Sequence, residues 1–212
     1  MTLTIDDLKA RLALPVVVAP MFLVSYPDLV IASCRAGLVG SFPAANARSI
    51  EQLAGWMQEI NDAVPGSPWA LNIVVMPDHN PLLLQQVELL DTYRPPIVIT
   101  VLHDVTTIRH AQKAIEAGVD GLIAVTAGAG GHCGALNPFA FVPQLRAIYD
   151  GVILLAGSIS DGGAILAAQA LGADFAYMGT RFIATRESQA SAEFKALVVS
   201  HESGDIVVTD RI

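Results

Sequence analysis

Apolar residues in this chain fall into short, β-branched runs, and nearly every run stops at glycine, proline, serine or threonine. Val16–Pro20, Leu38–Phe42, Trp69–Val75, Pro96–Thr100, Val101–Val105, Gly121–Thr126, Val152–Gly157 and Phe175–Gly179 read as strands. The segments between them carry apolar residues at helical spacing. Thr4 or Asp6 caps a short leading helix, and Pro27-Asp28 opens one that stops at Ala36-Gly37. Ser49-Ile-Glu-Gln52 has a capping-box pattern and leads a helix to Asp62. Further helices are predicted over 81–93, 106–117, 138–149, 161–171 and 188–200. Strand and helix alternate almost throughout, which predicts a parallel sheet with crossover helices.

Two parallel architectures fit this alternation. A doubly wound sheet usually shows a glycine-rich phosphate fingerprint after its first strand. Here the first strand ends Ala19-Pro20-Met21, and the glycine-rich turns come late. Late placement suits a (β/α)8 barrel of the TIM type, whose phosphate site is built by the loops after strands 7 and 8. The prediction is one barrel domain over residues 1–212.

One interval breaks the pattern. Strand candidates otherwise start 20 to 31 residues apart, yet Pro96–Thr100 abuts Val101–Val105. Parallel neighbours need a crossover of about a dozen residues. Either residues 97–105 form a single strand of a smaller or open barrel, or a helical segment of roughly 20 residues is missing between Thr100 and Val101. The missing segment is the favoured expectation, because the two runs each look like a separate strand.

Composition narrows the class. The chain has 212 residues, 53% hydrophobic and 15% charged, with net charge −8. This is a globular composition, and the charge with no basic stripe argues against nucleic acid. The longest apolar stretch, Leu12 to Val24, is interrupted by Pro15 and Pro20 and is too short to span a bilayer. The first residues lack the basic leader of a secretion signal, and two cysteines make neither a disulfide framework nor a metal pair. A cytoplasmic protein without a metal site is expected; a homodimer is allowed for.

The chemistry concentrates in three turns. Thr126-Ala-Gly-Ala-Gly-Gly-His-Cys-Gly134 leaves a buried strand and carries His132, a side chain able to move a proton near neutral pH. Its glycines let the backbone approach a flat or anionic ligand closely. Ala156-Gly-Ser-Ile-Ser-Asp161 and Met178-Gly-Thr180 each place a small residue and a hydroxyl at a strand's carboxyl end, where backbone N–H groups can hold a phosphate without lysine. His79, His103, His110 and His201 are scattered and take surface or packing roles.

In order along the chain, Ala19-Pro-Met21, Asn72, Ala129-Gly-Gly-His132, Ala156-Gly-Ser158 and Tyr177-Met-Gly-Thr180 resemble the nitronate monooxygenases, formerly 2-nitropropane dioxygenases. The resemblance implies an FMN-dependent barrel that oxidises nitronates or nitroalkanes with O2. It implies that Pro20 and Met21 lie against the flavin ring through backbone contacts, with Ala19 in the binding set and Asn72 bonding near the ring. Gly130 and Gly131 let the turn pass close to the cofactor. Gly157, Ser158, Gly179 and Thr180 hold its phosphate, and Thr126, Tyr177 and Met178 complete the binding set. His132 matches the family's catalytic histidine. Family members also run on past the point reached by Ile212, into a region that helps cover the site.

Three other readings stay open. One is a relative of enoyl-acyl carrier protein reductase II that takes hydride from NAD(P)H. Another is a flavin-binding barrel without turnover. The last is a phosphosugar barrel, which lacks the lysine or paired carboxylates expected at its strand ends.

Overall fold

The computed structural model describes residues 4–209. Its eight strands are all parallel: β1 (Val16–Val18), β2 (Gly40–Pro43), β3 (Trp69–Ile73), β4 (Ile97–Thr100), β5 (Asp104–Val105), β6 (Gly121–Val125), β7 (Val152–Ala156) and β8 (Phe175–Met178). The helices are α1 (Ile5–Ala10), α2 (Pro27–Arg35), α3 (Ile50–Ala63), α4 (Leu83–Tyr93), α5 (Ile108–Glu116), α6 (Pro138–Arg146), α7 (Gly162–Ala170), α8 (Thr180–Ile183) and α9 (Ala192–Ser200). Thr4 caps α1, Thr107 caps α5 and Asp161 caps α7 through their side chains. Ser49 caps α3, but the reciprocal bond of the expected box goes one residue back: Arg48 N–H donates to Gln52 Oε1 at 2.7 Å.

Pairing runs β1-β8-β7-β6-β5 in one sheet and β2-β3-β4 in the other. The sheets join where Val17 bridges Val39, with Val18 N–H donating to Val39 O and Val39 N–H to Val16 O. The strands curl round an interior of Val17, Val39, Ala70, Ile99, Ile123, Val125, Ala156 and Phe175, and Leu8 of α1 plugs its lower end. Outside, α2, α3 and α4 pack on β2 and β3 through Val30, Leu53, Met57, Ile60 and Leu71. There Phe42 stacks on Trp69 at 6.2 Å, so Trp69 is core. α5, α6 and α7 cover β5 to β7 in the same way. This is the barrel-type α/β fold that the alternation predicts.

The interval at Thr100 holds two separate strands with no crossover helix between them, as the favoured expectation has it. The chain is continuous, and residues 101–103 form a tight turn in place of a crossover helix. The crossover helix is thus lacking between two separate strands, and 97–105 is not one regular strand. β4 pairs with β3 along Ala70–Ile73, whereas β5 pairs with Ile123 and Ala124 of β6. Three residues cannot return the chain to the bottom of the sheet, so β5 continues upward from β4 and serves the opposite neighbour. His103 closes the turn: its Nδ1 accepts from Thr100 N–H at 3.0 Å, and its own N–H donates to Thr100 O.

At the lower end, Asp174 ties three elements together. It accepts from Lys9 Nζ of α1 at 2.7 Å, Arg146 Nη2 of α6 at 2.7 Å and Ile153 N–H of β7 at 2.9 Å. Burial raises its pKa, but these bonds together outweigh burial and hold the carboxyl below its ordinary range. Its stabilisation is therefore complete above the ordinary carboxylate range and is lost as pH falls through the lowered value. Asp174→Asn is expected to cost about 2–3 kcal/mol at neutral pH, with the difference shrinking in acid. Urea denaturation at neutral and acid pH measures both.

Candidate active site

Parallel pairing brings every strand's carboxyl end to one rim, and the glycine-rich turns meet there. Thr126 is fully buried, and its hydroxyl donates to Ala156 O at 2.8 Å, locking the start of the β6 loop to β7. Gly128 sits at φ +85°, and a Cβ there would strike Ser158 Oγ. Ser158 N–H donates to Gly128 O at 3.2 Å, and Ser158 itself is held at φ +56°. That conformation costs a non-glycine residue roughly 1 kcal/mol. Gly157, at φ +126°, leaves no room for a Cβ against Thr126 Oγ1 at 2.5 Å and Ala127 O at 2.9 Å. The β6 and β7 loops are thus fitted to each other through absent side chains.

The next two loops join the same cluster. Gly130 lies beside Thr180 Oγ1 at the head of α8, and Gly179 lies against Met21 and Ala19 of the β1 loop. Ala19 N–H donates to Met178 O at 2.9 Å. Met178 directs its side chain to the outer cluster with Val16, Ile165 and Ala176, so only its backbone faces the rim. Tyr177 points the other way and packs on the barrel interior. Asn72, on the far side, donates to Ile99 O at 3.3 Å. Gly131 and His132 are exposed at the tip of the β6 loop.

Two features of this rim are not read from the sequence pattern. Buried Asn46, in the turn after β2, organises the β1 loop: its Oδ1 accepts from Leu23 N–H at 2.8 Å, and its Nδ2 donates to Ser25 O at 2.8 Å. Ser25 Oγ accepts from Met21 N–H at 3.0 Å. The network holds Leu23 at φ +59° and presents Ala19, Pro20 and Met21 in a fixed conformation. A polar residue in a loop gives no periodic signal, so only the fold could reveal it.

The second feature is Asp104 on β5. Asp104 is exposed at the mouth, although nearby protein partly desolvates its carboxylate. This desolvation pushes its pKa up to about 6, and the charge of His132 acts in the opposite sense. Burial, followed by the Asp104 charge, raises the Tyr177 phenol well above its usual range. His132, Asp104 and Tyr177 therefore share one electrostatic environment. Cys133, beside His132, is a half-buried free thiol, while Cys34 is buried on α2 and donates to Pro68 O at 3.5 Å. Among the described residues, no group of three or more His, Cys, Asp or Glu is placed to hold a metal ion. Nor is any helix among them long and apolar enough to cross a membrane.

The sequence profile described as nitronate monooxygenase matches residues 86–212, more than half of the chain and all of the β6, β7 and β8 loops. The chain belongs to the nitronate monooxygenase family. A probable nitronate monooxygenase of Staphylococcus haemolyticus is 33% identical over 123 residues, covering 53% of this chain and 34% of that protein. One from Staphylococcus aureus is 31% identical over 121 residues, covering 52% and 34%. The match thus spans about a third of the length of these relatives, 34% in each case. Among solved structures, FabK from Thermotoga maritima superposes with a TM-score of 0.82 at 26% identity, over 97% of this chain and 70% of that one. A nitroalkane oxidase from Streptomyces ansochromogenes gives 0.77 at 23% identity, over 89% and 71%, and supports the fold alone.

If the Asn46 network fixes the β1 loop, Asn46→Ala leaves Leu23 N–H and Ser25 O without partners. The expected loss is about 1–3 kcal/mol of stability, with limited proteolysis opening the chain around residues 19–25. Chemical denaturation with peptide mapping measures both.

Proposed function

We propose that this chain is the FMN-binding barrel of a flavin-dependent oxidoreductase that oxidises alkyl nitronates or nitroalkanes with O2. The observation that carries the reading is the convergence of the β1, β6, β7 and β8 loops at one rim, in a chain of this family, with the His132 turn among them. The cradle suits a flat ligand with a single phosphate. The absent Cβ atoms of Gly128, Gly130, Gly157 and Gly179 let these loops close on one another, and the hydroxyls of Ser158 and Thr180 belong to the same cluster.

Gly157, Ser158, Gly179 and Thr180 would hold the phosphate, with α8 beginning at Thr180. Ala19, Pro20 and Met21 would meet the ring through backbone that Asn46 keeps in place. Asn72 would bond near it, Gly130 and Gly131 would admit it, and Thr126, Tyr177 and the Met178 backbone would shape the floor. When bound, FMN supplies the electron transfer that side chains cannot. His132 takes the proton from the carbon next to a nitro group, acting as a general base.

The test is anaerobic mixing of the flavin-loaded protein with propyl nitronate and, separately, with NADPH. Rapid bleaching by the nitronate alone is expected. Rapid bleaching by NADPH alone would instead support the enoyl-acyl carrier protein reductase II type, and bleaching by neither a binding barrel without turnover. His132→Asn is expected to keep the flavin spectrum and lower kcat/KM for neutral nitroalkanes by about 10²–10⁴-fold. Pre-formed nitronates need no deprotonation and should be affected far less. An unchanged nitroalkane rate would remove His132 from proton transfer.

A further inference from the structure

We propose that Asp104 is a positioning residue for His132, a carboxylate aimed into the barrel mouth that stabilises the imidazolium formed when His132 takes a proton from substrate. This inference rests on the reading of His132 as the base.

Register sets the direction of Asp104. It pairs with Ile123, and Val105 pairs with Ala124. Directly opposed residues of parallel neighbours point to the same face of the sheet, and successive residues alternate. Ile123 belongs to the barrel interior, whereas Val105 and Ala124 belong to the outer layer against the helices. Asp104 therefore points inward. The turn at 101–103 makes this possible, because it sets β5 beside the upper half of β6, immediately below the loop that carries His132.

The carboxylate is unsupported. Among the described residues, no backbone or side-chain group donates a hydrogen bond to it, and neither ion pair involves it. Asp174, the other strand-end carboxylate, takes three bonds. Asp104 is exposed at the mouth, so water meets its carboxylate where no protein donor does, and carboxylates left open in this way beside a histidine cluster where charge is used. The titratable groups facing it are His132 from the β6 loop and Tyr177 from β8. His103, one residue earlier, has its Nδ1 committed to Thr100. Of these, His132 is the partner able to become cationic during the reaction. The proton passes from the substrate carbon to the imidazole, the electron pair stays on the substrate as nitronate, and the new positive charge forms beside Asp104.

Two measurements on the protein as purified test this. The first follows the Asp104 carboxyl carbon by NMR across pH, in the parent and in His132→Asn. Loss of the imidazole charge is expected to raise the Asp104 midpoint by about half a unit or more; an unmoved midpoint would overturn the coupling. The second compares kcat/KM for a neutral nitroalkane and its nitronate in Asp104→Asn and Asp104→Glu. Asp104→Asn is expected to lower the nitroalkane value about 10- to 100-fold while the nitronate value stays within about twofold, with Asp104→Glu recovering part of the loss. Equal losses on both substrates would make the role merely structural and overturn the proposal. The two readings fail separately. A full nitroalkane rate in His132→Asn defeats the base assignment even where the NMR coupling is present. An unmoved Asp104 midpoint beside a dead His132→Asn defeats only the inference about Asp104.

Discussion

Every paired strand of this protein runs parallel to its neighbour, and the rest of the structure depends on that constraint. Parallel pairing sends each strand's carboxyl end to the same rim and pushes the connecting helices outside. Residues far apart in sequence, from Ala19 to Thr180, thereby meet without any long-range hinge. The lower rim is left for stability, where Asp174 binds α1, α6 and β7 together. The loop cluster and the Asp174 anchor occupy opposite ends of one barrel.

At the upper rim the loops are fitted by what they lack. Side chains at Gly128 or Gly157 would drive the β6 and β7 loops apart. Ser158 and Leu23 are held in left-handed conformations by bonds to Gly128 and Asn46. Strain of this kind persists only where the surroundings over-determine it, and it gathers at ligand sites. The rim is thus fixed by contacts within the protein itself, and a preorganised site lowers the ordering cost of binding.

Much of this was legible in the sequence. The β-branched runs mark all eight strands to within two residues, apart from the start of β5, because buried parallel strands must be apolar on both faces. The glycine turns mark the rim because only glycine tolerates such close backbone approach. The step from β4 to β5 was legible only in part: spacing shows that a crossover helix is lacking, but not the three-residue turn closed by His103 that stands in its place. Asp104 escaped notice because a strand of two residues has no alternation to read, and its inward direction emerges only from pairing with Ile123. Asn46 contacts a loop more than twenty residues away, and nothing local announces it.

The central claim is that four loops form one preformed cradle for a flat ligand bearing a single phosphate. Calorimetric titration of the flavin-free protein with FMN, riboflavin and FAD tests it most directly. FMN is expected to bind at least about 100-fold more tightly than riboflavin, the scale of a few charge-assisted hydrogen bonds, with FAD no tighter than FMN. Riboflavin binding as tightly as FMN would contradict the assignment of Gly157, Ser158, Gly179 and Thr180 to a phosphate.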